Sequence, residues 1–206
     1  LLLAAGFLWV WWARGKQLKT QVGDPEGLTR AFLHAAEAIR LHQAGDGYWR
    51  TLYTPGPVFE RPVPEVNVFA PGLMVELLEP VAQETDLIET LDRARGYLRR
   101  QIEETGLVRY HGRPDQPYLP QLGCTITPDA DDTALVWRVA PQDDNTLLHS
   151  ALRVLKQYRT DEGLYRTFLA DQEAYQCVDP GSDPNPPDAG VQMNLYRLFV
   201  KNEPAS

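Results

Sequence analysis

The chain opens with an apolar block, LLLAAGFLWVWWA over residues 1–13, that carries no charge, and then turns abruptly polar. A helix crossing about 30 Å of hydrocarbon needs roughly 20 apolar residues at about 1.5 Å each, so the block covers about two thirds of a span. It reads as a single-pass transmembrane or signal-anchor helix over residues 1–16 whose start lies upstream of Leu1. Trp9, Trp11 and Trp12 suit a headgroup belt, and Arg14, Lys16 and Lys19 suit the interface beyond it. An uncleaved secretory signal is the rival reading, although a signal ends in small residues where these tryptophans stand. Residues 17–24 form a polar linker, which leaves 25–206 for a globular domain.

In that domain the spacing changes to a helical one. Asp24-Pro25-Glu26 has the make-up of a helix start, with Asp24 as N-cap and Pro25 at the first helical position. Leu28, Phe32, Ala35, Ala36 and Ile39 keep a period near 3.6 and predict an amphipathic helix to about Gln43. The pattern returns in Leu87, Leu91, Ala94, Tyr97, Leu98 and Ile102, and again in Leu147, Leu148, Ala151, Val154, Leu155 and Tyr158.

Each of these helices runs into a similar exit. Gly47, Gly106 and Gly163 mark the exits and lie 59 and 57 residues apart, a period that signals stacked supersecondary units. Glycine fits there because the residue after a helix end takes a left-handed conformation. Each exit leads through a Pro-rich or Asp-rich loop to a second helix: from Glu65 to about Pro80, from Asp129 to about Ala140, and from Asp188 to about Lys201. Acidic residues in a first turn complement the helix dipole. The fold class is therefore all-α, three helix pairs with short extended pieces at the exits. Tyr48, Trp49, Tyr110, Tyr165 and Phe168 are expected in the core. Arg50, Arg109 and Arg166 recur after the exits and are expected to pair with the acidic helix starts.

Composition adds exclusions. With 20 Lys and Arg against 28 Asp and Glu, the net charge of −8 opposes a phosphate backbone, so nucleic acid is not a partner. His34, His42, His111 and His149 lack zinc-ligand spacing, and there is no Gly-rich phosphate loop and no serine nucleophile elbow. Asp179, Asp183, Asn185 and Asp188 gather the hard oxygen donors that Ca²⁺ prefers, but without EF-hand spacing. The favoured reading is a Pro-stiffened loop with capping side chains and no cofactor. Cys124 and Cys177 occupy similar places in neighbouring repeats, which allows a disulfide and an oxidising compartment; a reduced pair is the alternative. The expected side is extracytoplasmic, periplasmic, against the cations that follow the anchor.

The Gln-x3-Gly-x-Trp exit of Gln43, Gly47 and Trp49, with Val108 and Tyr165 at the tryptophan place of the later copies, resembles the repeat of the terpenoid cyclase and protein prenyltransferase superfamily. Asp129-Ala130-Asp131-Asp132-Thr133-Ala134 is similar to the Asp-x-Asp-Asp-Thr-Ala motif of class II terpene and squalene-hopene cyclases. The resemblance spans most of residues 25–201 and implies an α/α toroid, here a partial one of about three pairs. It also implies a Brønsted acid at Asp131 with Asp129 and Asp132 as orienting partners, since neighbouring carboxylates can share protons and raise one pKa. Helix-start duty is the default for the same three residues, and metal ligation a further alternative.

Two functional expectations follow. The first is a membrane-anchored, non-catalytic accessory subunit, at the lipid bilayer, packed on an integral membrane protein complex. The alternative is a class II terpenoid-cyclase-like enzyme, whose carbocation chemistry would need a closed, dry cavity.

Overall fold

The computed structural model describes residues 25–54, 58, 60–115, 126–175 and 185–202. The anchor residues Trp9, Trp11, Trp12 and Arg14, the cap Asp24, both cysteines, Asp179 and Asp183 lie outside the described residues. Among the described residues the chain is mostly helical, with six α-helices and one two-stranded sheet. No described helix is long and apolar enough to cross a membrane.

Residue contacts divide the chain after His42. The first unit contains α1, Pro25–His42, with Glu26 in its first turn and Arg40 and His42 in its last, each charge complementing the helix dipole. A Glu37–Arg40 ion pair of 2.7 Å sits one turn from its end. Of the apolar stripe foreseen on this helix only Ala36 is buried; Leu28 is 62% exposed, and Phe32 and Leu33 also stand in solvent.

The second unit begins with an antiparallel hairpin, β1 (Thr51–Tyr53) and β2 (Val63–Glu65), in which Thr51 pairs with Glu65. Four α-helical segments and a fifth follow as α2 (Phe69–Leu78), α3 (Ile88–Arg100), α4 (Ala130–Val139), α5 (Thr146–Gln157) and α6 (Ala189–Asn202). Glu65 therefore closes a strand and does not open a helix. The chain turns helical four residues later because the Asn67 side chain accepts the Ala70 N–H at 2.8 Å. Asp129 and Asp188 do open their helices. Asp129 is extended, and its Oδ1 accepts the Asp132 N–H at 2.8 Å; Asp188 Oδ1 accepts from Gly190 at 2.7 Å and Val191 at 3.2 Å.

α4 packs between α2 and α6, with α3 and α5 against it as well, and nearly all of it is buried. Trp137 in its last turn donates Nε1–H to the Gly106 carbonyl at 2.8 Å. Glu76 of α2 meets Arg138 of α4 at 3.0 Å and Arg197 of α6 at 2.7 Å, so one carboxylate ties three helices. Leu87, Leu91, Ala94, Tyr97 and Leu98 of the α3 region and Leu148, Ala151 and Leu155 of α5 supply the facing apolar layer.

The exit glycines work as expected. Gly47 and Gly106 have φ of 99° and 84°, and a Cβ on them would lie 2.2 Å from the Arg93 carbonyl oxygen and 2.1 Å from that of Leu147. These two exits thus press backbone to backbone on the first helix of the next repeat, whereas Gly163 (φ 87°) faces the Arg159 guanidinium of its own exit. Gln43 explains its own place in the exit: its side-chain amide Nε2–H donates forward to the Gly47 carbonyl at 3.0 Å and across to the Thr90 carbonyl at 2.8 Å.

Candidate functional site

The exits and the second helices are stitched in a repeating way. The Val68 N–H donates to the Tyr110 carbonyl and the Ala130 N–H to the Thr167 carbonyl, both at 2.8 Å. Tyr110 and Thr167 each stand four residues after an exit glycine, so the second and third exits dock on the start of the preceding second helix. Thr133 adds a side-chain clamp by accepting the Val108 N–H at 3.0 Å. The arginines of the exits serve the same joint. Arg109 Nη1 donates to the Ile126 carbonyl at 2.9 Å and Arg166 Nη1 to the Asn185 carbonyl at 3.0 Å, so these two hold the loop backbone three residues before each cap in place of the expected acidic helix starts.

At this joint lies a cavity of about 740 Å³. Its walls include the rings of Phe69, Tyr110 and Phe168 and the aliphatic side chains of Ile126 and Val191, with Asp129, Asp131, Asp132 and Asp188 among them. The sequence motif and the first turn of α6 are therefore brought together. Two of the exit aromatics behave as core, Tyr48 and Trp49, whereas Tyr110 and Phe168 reach the cavity wall.

The three carboxylates of the motif differ sharply. Asp129 and Asp132 are both buried, and burial pushes the Asp129 carboxyl up to about 6, against the hydrogen bonds it receives from Asp132. Asp132 is raised well above the ordinary carboxylate range, first by burial and then by the charge of Asp129 beside it. Two acids in contact away from water cannot both ionise, so the pair retains a proton. Asp132 Oδ1 has no hydrogen-bond partner among the described residues. Asp131 is half-buried and accepts a hydrogen bond from the side-chain amide of Asn194 on α6.

Behind Tyr110 lies a polar network whose partners no sequence motif connects. Glu65 Oε1 accepts from the Tyr110 hydroxyl at 2.9 Å, from Asn67 at 2.9 Å and from Thr51 at 3.1 Å, while Oε2 lies 3.2 Å from His111 Nε2. Burial disfavours the charge on Glu65, but the bonds from Tyr110, His111, Asn67 and Thr51 outweigh it and hold the carboxyl below its ordinary range. Burial and the Glu65 charge push the Tyr110 phenol far up, so it stays a donor. These partners lie more than 40 residues apart in pairs such as Tyr110 and Glu65, beyond any local motif. The one available signal was polarity itself, Glu65 and Asn67 alternating with Val66 and Val68.

Among the described residues no group of three or more His, Cys, Asp or Glu side chains is arranged to hold a metal ion. Asp188, one of the proposed Ca²⁺ ligands, has its Oδ1 engaged by the α6 cap. No family model, no curated protein and no solved structure matches this chain.

Proposed function

We propose that this chain is a membrane-anchored α/α-toroid domain serving as a non-catalytic accessory subunit of a larger membrane protein complex, with residues 1–16 in the bilayer. The observation that carries the reading is the employment of Asp129: its carboxylate caps α4 and its N–H bonds the Val108 carbonyl at 3.2 Å, so the most sequence-distinctive residues of the chain maintain the joint between repeats. Support also comes from α1, whose exposed Leu28, Phe32 and Leu33 offer an apolar surface suited to a protein partner. The test is isolation of the full chain from native membranes in mild detergent. Other subunits should co-purify in fixed stoichiometry, and Leu28→Glu with Phe32→Glu should release them. Recovery of the chain without other subunits would sink the proposal.

A second reading is favoured by the cavity: Asp131 stands on a wall rich in aromatic and aliphatic side chains, beside an acid pair that retains a proton. A protonated acid beside an apolar wall is one element of a class II terpenoid-cyclase-like site; the cavity itself opens to solvent, so closure over it would have to come with the substrate or a partner. Incubation with squalene or geranylgeranyl diphosphate should then yield a cyclised product that Asp131→Asn abolishes, and an absence of product removes this reading.

A further inference from the structure

The second helices of the three repeats can be aligned on their caps, Asn67, Asp129 and Asp188. In that alignment Gly72, Ala134 and Met193 are equivalent, as are Val75, Trp137 and Tyr196. The face formed by these positions is covered in the first two repeats. Gly72 is so close to Leu135 of α4 that a Cβ on it would lie 2.7 Å from the leucine side chain. Val75 and Trp137 are each 1% exposed. In the third repeat the same face is bare: Met193 is 63% exposed, Tyr196 65%, and Val200 on the same side also stands in solvent.

The opposite edge shows the converse. Leu77 of α2 is equivalent to Val139 and Leu198, on the side turned to the preceding repeat. Leu198 is fully buried, whereas Leu77 is 69% exposed. Val139, the middle member of this series, is half-buried. α6 thus leaves bare the positions that are covered on α2 and α4, and α2 leaves bare the position that is covered on α6.

We infer that a second copy of this chain docks its α2 edge, at Leu77, on the α6 edge formed by Met193, Tyr196 and Val200, continuing the α2–α4 and α4–α6 packing across the interface. The warrant is the continuity of the internal contact, since a surface built to receive an α4-like or α6-like helix is matched by a helix of the same series. The contact is head-to-tail. It closes into a ring if the rotation between copies allows and otherwise propagates. The inference is independent of the accessory-subunit reading, which concerns partners other than this chain.

The experiment uses the full chain in mild detergent, with molar mass read by light scattering. The wild type should associate. Met193→Glu and Leu77→Glu, both at exposed positions, should each be monomeric with an unchanged melting temperature. Mixed together they should form a dimer, because the first variant keeps an intact α2 edge and the second an intact α6 edge. A monomeric wild type overturns the inference. So does continued association of either variant alone, as a tail-to-tail contact would give for Leu77→Glu, and so does a mixture that remains monomeric.

Discussion

Asp129 caps the helix that carries Asp132, accepting its N–H at 2.8 Å, while both carboxyl groups are buried side by side. One residue thereby terminates the loop, starts α4 and raises the proton affinity of its neighbour. The cap and the charge can be separated by mutation. Asp129→Ala loses both and should destabilise the chain by about 1–2 kcal/mol in urea unfolding. Asp129→Asn keeps an acceptor for the Asp132 N–H and should lie close to the wild type at neutral pH; equal losses in both variants would show that the cap is not what Asp129 contributes.

The acid pair sets a pH dependence of definite sign. Asp129 and Asp132 have folded pKa values raised above their unfolded ones, so the folded chain binds more protons than the unfolded chain in the interval between. Their stabilising contribution is fully present below the ordinary carboxylate pKa and declines as pH rises through about 6. Asp132→Asn removes one of the two titrating groups, and its melting temperature should gain on the wild type as pH rises from the ordinary carboxylate range through about 6. A constant difference across that range would contradict a shared proton.

Glu65 runs the other way. Its folded pKa is depressed, so its contribution is present above the unfolded value and is lost as pH falls through the folded one. Glu65→Leu leaves the Tyr110 hydroxyl, Asn67 and His111 without their common acceptor and should cost about 1–3 kcal/mol, the range for stranding a buried polar group. Thermal scans of this variant should show a weaker loss on acidification than the wild type.

Two glycines two residues apart make a backbone test. Gly47→Ala forces a Cβ to 2.2 Å from the Arg93 carbonyl at φ 99°, whereas a Cβ on Gly45 meets nothing within 4 Å. The first should lose about 1–3 kcal/mol, the cost of a strained site, and the second should change little. Similar urea midpoints for the two would mean that the exit is not held against α3.

Trp137→Phe tests the centre of the array. It removes the bond to the Gly106 carbonyl and leaves that carbonyl buried, with an expected loss of about 1–3 kcal/mol. A urea midpoint unchanged from the wild type would show that this bond does not hold α4 to the exit.

The sequence by itself determined what depends on local spacing. The period near 3.6 placed α3 and α5, the glycines at 47, 106 and 163 placed the exits, and Asp129 and Asp188 placed two helix starts, because caps and left-handed turns are decided by residues within one turn of each other. The tertiary structure decided what depends on distant partners. Glu65 became a strand end and the acceptor of a four-residue network because Tyr110 and His111 arrive from the next repeat, and Asn67 took over the cap. Burial of an apolar stripe was equally outside the pattern: Leu91 and Leu155 are covered while Leu28 and Met193 are not, although all four sit on periodic or amphipathic helices. Amphipathicity states that a face seeks cover, and only the packing of the other helices determines whether it has found it.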